Sequence, residues 1–253
     1  MDYLFDGTFE GVLSGIYRMF HDKLPLDGQR LMPKSTHQYS LFQEAVEVLT
    51  DQECAAKVSK SIIETFGETA FRQVGYAYLS EDESYGTKLF RCLKKAYKMG
   101  GRAFENLSDP DISEFYSLYR AVVRESHRMI GFLRFVELEK AVFYAQFEPT
   151  YDLLGLMVPH FLDRLGNQLW VIHDTKRRKA AFYNGTEVHF SDLDPVETLY
   201  CTSREWTYQQ MWRAYFENIA IDERKNPNLQ RQMMPKKYWK YLVEKTPSKN
   251  LLN

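Results

Sequence analysis

The sequence predicts an α+β fold, a single domain over residues 1–253 in which an antiparallel sheet packs against several helices. Apolar residues recur at helical spacing through most of the first half, hairpin signals near 132–147 and 169–183 fill the middle, and helical spacing returns from Arg204. No stretch rich in Gly, Ser or Pro divides the chain and no internal repeat is visible, so one domain is the economical organisation.

Residues 2–5 are apolar enough for a first strand. Asp6, Gly7 and Thr8 then supply capping chemistry for a helix whose stripe is Phe9, Val12, Leu13, Ile16, Tyr17 and Phe20. Pro25, Gly28 and Pro33 mark a loop, and residues 39–48 extend as a strand. Asp51 caps the next helix, which runs through Phe66 and stops at Gly67. Helices follow at 68–79 and 84–99, separated by the acidic turn 81–83, and another runs from Asp111 to Met129. Residues 132–138 and 142–147 alternate and read as antiparallel strands joined by a tight turn. Tyr151–Leu165 is a helix interrupted by Pro159. Residues 169–174 and 179–183 form a second hairpin around the basic tip 176–179, and Asn184-Gly185 turns the chain into a further strand at 187–190. The middle thus reads as an antiparallel meander. Beyond Arg204, Tyr208, Met211, Trp212, Tyr215 and Ile219 share one helical face, and Pro227 and Pro235 open short terminal helices.

At 253 residues and 44% hydrophobic content the chain can bury an ordinary core. The three cysteines, Cys54, Cys92 and Cys201, are odd in number and widely spaced, which fits a reducing compartment better than a disulfide framework. No CxxC pair, HExxH or HxH is present, so no metal and no cofactor are expected. Gly100 and Gly101 are not followed by Lys-Ser or Lys-Thr, which argues against a nucleotide-hydrolysing phosphate loop. The start of the chain lacks a basic leader, and no apolar run approaches the ~18 residues a membrane span needs. The expected location is cytoplasmic, with no membrane partner.

Charge is distributed unevenly. From Arg224 to Lys249 eight Lys or Arg face one acid, Glu244, although the whole chain carries -1. Residues 88–102 hold Lys88, Arg91, Lys94, Lys95, Lys98 and Arg102 with no Asp or Glu, and all but Lys94 gather on one helical face. With the hairpin tip Lys176, Arg177, Arg178 and Lys179, these three stretches contain 18 of the 33 basic residues and one of the 34 acids. Phosphate backbones favour such clustering, because each neutralised phosphate releases counterions. The expected nucleic-acid-binding set is Lys88, Arg91, Lys95, Lys98, Arg177, Arg178, Arg224, Lys225, Arg231, Lys236, Lys237, Tyr238, Trp239 and Lys240. The aromatics in it suit base stacking, although Trp239 and Leu242 at helical spacing equally suit anchoring the tail to a core. A solvated rim or a surface for an acidic protein partner are the competing accounts.

Candidate chemistry centres on His127, Arg128 and Arg134, where a helix end meets a strand. An imidazole that titrates near neutrality and two guanidinium forks suit an acid–base step on a phosphate, and His160 is a further catalytic candidate. A helix C-terminus whose dipole favours His and Arg explains the same residues without catalysis. His173 sits at a strand end, and Cys92 beside Lys94 and Lys95 is a weak reactive-thiol candidate.

Several blocks carry a resemblance: FDGTFEG from Phe5, HRMIGFLRF from His127, PHF from Pro159, WVIHD from Trp170, and IAIDERKNPNLQRQMMPKKYWK from Ile219 to Lys240. Together they resemble a bacterial family of unknown function described as DNA metabolism or DNA repair proteins. Members are either stand-alone and associated with a radical-SAM protein of DNA modification or repair, or fused to a uracil-DNA-glycosylase-like domain. This chain ends soon after the last block and has no CxxxCxxC, so it resembles the stand-alone form. The resemblance implies a DNA-binding accessory protein with a radical-SAM or glycosylase-type partner enzyme, and supplies no catalytic residues. The alternatives are a nuclease or glycosylase using His127 or His160, and a protein-interaction subunit that never contacts DNA. Some segments between 30 and 110 take no part in the resemblance.

Overall fold

The computed structural model describes residues 1–22, 28–38, 44–196, 201–219 and 221–245. The chain divides into two compact units, Met1–Arg124 and Glu125–Asn253.

The first unit is built on a short parallel sheet. Strand β1 (Asp2–Phe5) lies between β2 (Arg30–Pro33) and β3 (Ala45–Glu47), with Tyr3 opposite both Leu31 and Val46. All of β1 is buried, as a central parallel strand requires when helices cover the sheet. Its one charge, Asp2, accepts two hydrogen bonds from the Arg30 guanidinium at 2.9 and 2.6 Å and lies 3.2 Å from His37 Nε2. Burial pushes the Asp2 carboxyl up, and Arg30 and His37 outweigh it and hold it below its ordinary range.

Helices α1 (Phe9–Asp22), α2 (Gln52–Phe66), α3 (Glu68–Tyr78) and α4 (Tyr85–Met99) follow, and α5 (Pro110–Phe132) begins in this unit. Asp51 caps α2 by accepting from the Glu53 and Cys54 amides, and Gly67, at φ 87°, ends it in the left-handed region. The core joins Val12, Leu13, Ile16 and Met19 of α1 to Ile62, Val74, Leu89, Leu93 and Phe115. Leu31 ties sheet to helix: its amide donates to Thr87 Oγ1 at 2.9 Å, and Thr87 donates back to the Leu31 carbonyl. A Cβ on Gly86 would stand 2.7 Å from that carbonyl oxygen, so α4 approaches β2 only because position 86 has no side chain. Of the strand expected at 39–48, residues 45–47 form β3, while 39–43 lie outside the described residues.

The second unit holds β4 (Val136–Leu138), β5 (Val142–Phe147), β6 (Leu169–Asp174), β7 (Lys179–Tyr183) and β8 (Val188–Asp192), paired in chain order. Both expected hairpins form, as the antiparallel pairs β4–β5 and β6–β7. The meander does not: β5 and β6 run parallel, with Tyr144 opposite Val171 and Phe147 opposite Asp174. The reason is α6 (Leu154–Leu165), a crossover helix that returns the chain to the end of the sheet where β5 began. Fully antiparallel architecture is therefore corrected to one all-parallel sheet and one mixed sheet. Pro159 does not break α6, because it and Gly155, whose carbonyl loses its donor, both face solvent. Likewise α5 continues through Phe132, and the strand expected from 132 begins only at Val136.

Helices α7 (Ser203–Asn218) and α8 (Pro227–Met233) and a 3-10 segment, Lys236–Tyr241, complete this unit. Helix α7 turns its apolar face outward. Glu205 and Gln209 are buried, whereas Tyr208, Met211, Trp212, Tyr215 and Ile219 are exposed. The cause lies at β4: Glu205 Oε2 accepts the Glu137 amide at 3.1 Å, the Thr202 amide donates to the Glu137 carbonyl, and Arg204 grips the Glu137 carboxylate with bonds of 3.0 and 2.9 Å. A free backbone edge selects the polar stripe of this helix over its apolar one.

Candidate nucleic-acid interface

Helix α4 presents its basic residues as expected, since Leu89, Phe90, Cys92, Leu93 and Ala96 are buried on the opposite side. The tertiary fold nevertheless supplies the acids missing from residues 88–102. Lys88 Nζ lies 3.2 Å from Asp82 and 3.8 Å from Glu114, and Lys95 Nζ lies 3.4 Å from Asp109 and 3.8 Å from Asp111. Arg91 is half-buried, and Lys98 and Arg102 are exposed toward the helix end.

At the β6–β7 tip the cations hold the turn itself. Arg177 donates to buried Asp174 at 3.0 Å and to the Thr150 carbonyl at 2.9 Å, and Lys176 Nζ donates to that same carbonyl at 3.0 Å. Burial raises the Asp174 carboxyl above its ordinary value, and Arg177 and the Lys176 amide offset this only in part. Arg178 pairs with Asp194 at 3.3 Å on an exposed site.

The C-terminal segment acts largely as a strap. Glu125, almost fully buried, accepts from the Thr150 amide at 3.0 Å and hydroxyl at 2.6 Å, from the Tyr151 amide at 3.1 Å, from Lys237 Nζ at 3.1 Å, and from the Tyr238 hydroxyl. Burial raises the Glu125 carboxyl, but these donors prevail and hold it below its ordinary value. Lys240 pairs with Glu148, and the Tyr241 hydroxyl meets Thr175 Oγ1 at 2.8 Å. Tyr238 is buried and anchors the tail through Glu125, while Trp239 donates to the Met234 carbonyl at 2.9 Å and closes a local turn of the segment. Arg224, Lys225, Arg231 and Lys236 are exposed.

The catalytic candidates have separate surroundings. His127 is exposed on α5 and Arg128 is half-buried. Arg134 donates to the Gly131 and Leu133 carbonyls at 2.8 and 3.3 Å and to Glu244 at 3.1 Å, closing the end of α5. His160 packs edge-on against Phe161, with Nε2 buried. His173 is fully buried: Leu193 O accepts from Nε2 at 3.0 Å, so Nδ1 is the acceptor for the Tyr144 hydroxyl at 2.7 Å. Burial lowers its pKa, consistent with that neutral tautomer. Among the described residues no group of three or more His, Cys, Asp or Glu is arranged to hold a metal ion. Cys92 is buried, which pushes its thiol up to about 12 and leaves it inert at neutral pH.

The surface that sequence reasoning missed is the outer face of α7. Tyr208, Trp212 and Tyr215 are 56, 41 and 55% exposed and follow one another at four- and three-residue offsets. The Trp212 and Tyr215 rings stack with centroids 5.8 Å apart. Cations lie over these rings: Arg204 at 5.9 Å from Tyr208, Arg134 at 6.0 Å from Trp212, and Lys245 at 5.2 Å from neighbouring Phe216. The available signal was Glu205 and Gln209 at an i, i+4 spacing on the opposite face, a polar pair that suits a strand edge better than solvent.

Among the described residues no helix is long and apolar enough to cross a membrane. No curated protein matches the chain. The model of the family described as a domain of unknown function, DUF4130, matches residues 83–244, which takes in α4, α5, the mixed sheet, α7 and the strap and leaves the FDGTFEG block outside. On that match, over more than half its length, the chain belongs to the DUF4130 family.

Proposed function

We propose that this protein is a DNA-binding accessory factor of DNA repair or DNA metabolism that holds unpaired bases for a separate radical-SAM or glycosylase-type enzyme. One observation carries the reading: the exposed aromatic row Tyr208, Trp212 and Tyr215. Rings that accept bases, in a unit that also exposes cations able to meet phosphates, are what single-strand binding needs. Arg224, Lys225, Arg231 and Lys236 supply that exposed positive charge. Lys88, Lys95, Arg134, Arg177, Arg204, Lys237 and Lys240, each with a carboxylate partner, contribute less than their sequence positions imply. The partner enzyme and the repair context rest on the family resemblance.

A fluorescence-anisotropy titration with labelled single-stranded and duplex DNA at several salt concentrations tests the reading. Single strands bind more tightly, and the logarithm of affinity falls with log salt by about 0.7 per phosphate neutralised. Absence of binding at low salt overturns it. Met211 and Ile219, exposed on the same helix, favour a second reading, a protein-docking face. A partner captured equally from nuclease-treated and untreated lysate, by a chain that binds no DNA, selects that reading instead.

A further inference from the structure

A cavity in the first unit has the chemistry of a small-molecule site. Its volume is about 310 Å³, and its floor is the core itself, Ile16, Val58 and Leu93. Tyr17, Phe20 and Tyr97 form the walls, with the Phe20 and Tyr97 rings perpendicular and their centroids 5.8 Å apart. The polar groups are few. Ser61 Oγ and the Tyr97 hydroxyl hydrogen-bond to each other at 2.7 Å, and at the mouth Lys57 Nζ lies 5.9 Å from the Tyr17 ring centroid. Among the described residues Glu53 pairs with this ammonium at 3.9 Å on a side chain 84% exposed, and exposed Asp51 also attracts it, contacts that water screens enough for Lys57 to meet an incoming anion.

We infer that this cavity binds a small organic anion with a flat aromatic body, the body lying against the Tyr17, Phe20 and Tyr97 rings and the anionic group meeting Lys57. Size, shape and charge each contribute. At the ~30 Å³ each water takes in the liquid, the cavity displaces roughly ten waters, a space on the scale of a fused bicyclic ring system. Perpendicular aromatic walls over an aliphatic floor accept a planar ring by edge and face contacts and leave an extended chain poorly covered. Among the described residues Lys57 is the one cation lining the cavity and no buried acid lines it, an arrangement that discriminates against cations and weakly against neutral analogues.

The test titrates the full chain with 2-naphthoate, 2-naphthylmethanol and 2-naphthylmethylammonium, following naphthalene fluorescence, in the parent and in Lys57→Met. The parent binds naphthoate saturably at one site, about tenfold more tightly than the ammonium compound, as one charge-assisted contact implies. Lys57→Met removes that preference and retains binding of the neutral alcohol. Lys57 is exposed, so the variant keeps its fold, and an unchanged far-UV spectrum verifies this. Three results overturn the inference: no saturable naphthoate binding at millimolar concentration, equal binding of anion and cation by the parent, or an anion preference that survives in Lys57→Met.

Discussion

Replacing Glu125 tests whether Lys237 and Tyr238 are structural. Glu125→Ala leaves the Thr150 and Tyr151 amides, the Tyr238 hydroxyl and the Lys237 ammonium without their common acceptor. Breaking a buried charged pair costs roughly 3–5 kcal/mol. The Lys237 side chain is 50% exposed, so water recovers part of that loss and the lower end, about 3 kcal/mol, is expected. Glu125→Gln keeps the shape and loses the charge, for about 2 kcal/mol, and Lys237→Met costs less than ~1 kcal/mol. The assay is urea unfolding followed by tryptophan fluorescence. The four tryptophans, Trp170, Trp206, Trp212 and Trp239, all lie in the second unit, so the signal reports that unit alone. At a slope near 2 kcal/mol per molar, Glu125→Ala lowers the midpoint by about 1.5 M. The pH dependence has a definite sign. The folded carboxyl sits below its unfolded value of 4.5, so its stabilisation is fully present above pH 4.5 and is lost as pH falls through the folded value. Glu125→Gln flattens that acid limb. A midpoint shift under ~0.3 M for Glu125→Ala refutes the strap.

Replacing Tyr208 and Tyr215 together by Ser weakens single-stranded DNA binding by about 1–3 kcal/mol per stacked ring, while the urea midpoint stays within error because both side chains are exposed. Anisotropy and unfolding on the same preparation separate the two effects, and an unchanged isotherm removes α7 as the contact. Gly86→Ala forces a methyl to within 2.7 Å of the Leu31 carbonyl oxygen and destabilises the first unit by about 1–3 kcal/mol, read as faster amide exchange at Leu31. Cys92, its thiol held near 12 by burial, escapes alkylation at pH 8 until denaturant is added. Mass spectrometry locates the label, and rapid modification of Cys92 in the folded chain contradicts the packing.

Local chemistry along the chain was sufficient for most element boundaries. The Asp51 cap, the stop at Gly67, the Asn184-Gly185 turn and the periodicities of α1 and α4 are decided by residues within a turn or two of one another, and here the tertiary context agrees with them. The direction of β6 against β5 was not decided locally. An alternating strand pairs in either sense, and only the path of α6 selects the parallel one. The outward face of α7 likewise depended on an open strand edge at Glu137, 68 residues away from Glu205.

Charge shows the division most clearly. The sequence by itself determined that three stretches are rich in cations and nearly free of acids, a property of composition that no fold can change. Only the tertiary structure decided how much of that charge is offset by acids, by bringing Asp82 and Glu114 to Lys88, Asp109 and Asp111 to Lys95, Glu125 to Lys237 and Glu148 to Lys240. Ion pairing acts over about 4 Å through space, so an acid more than a hundred positions away cancels a lysine as fully as a neighbour does.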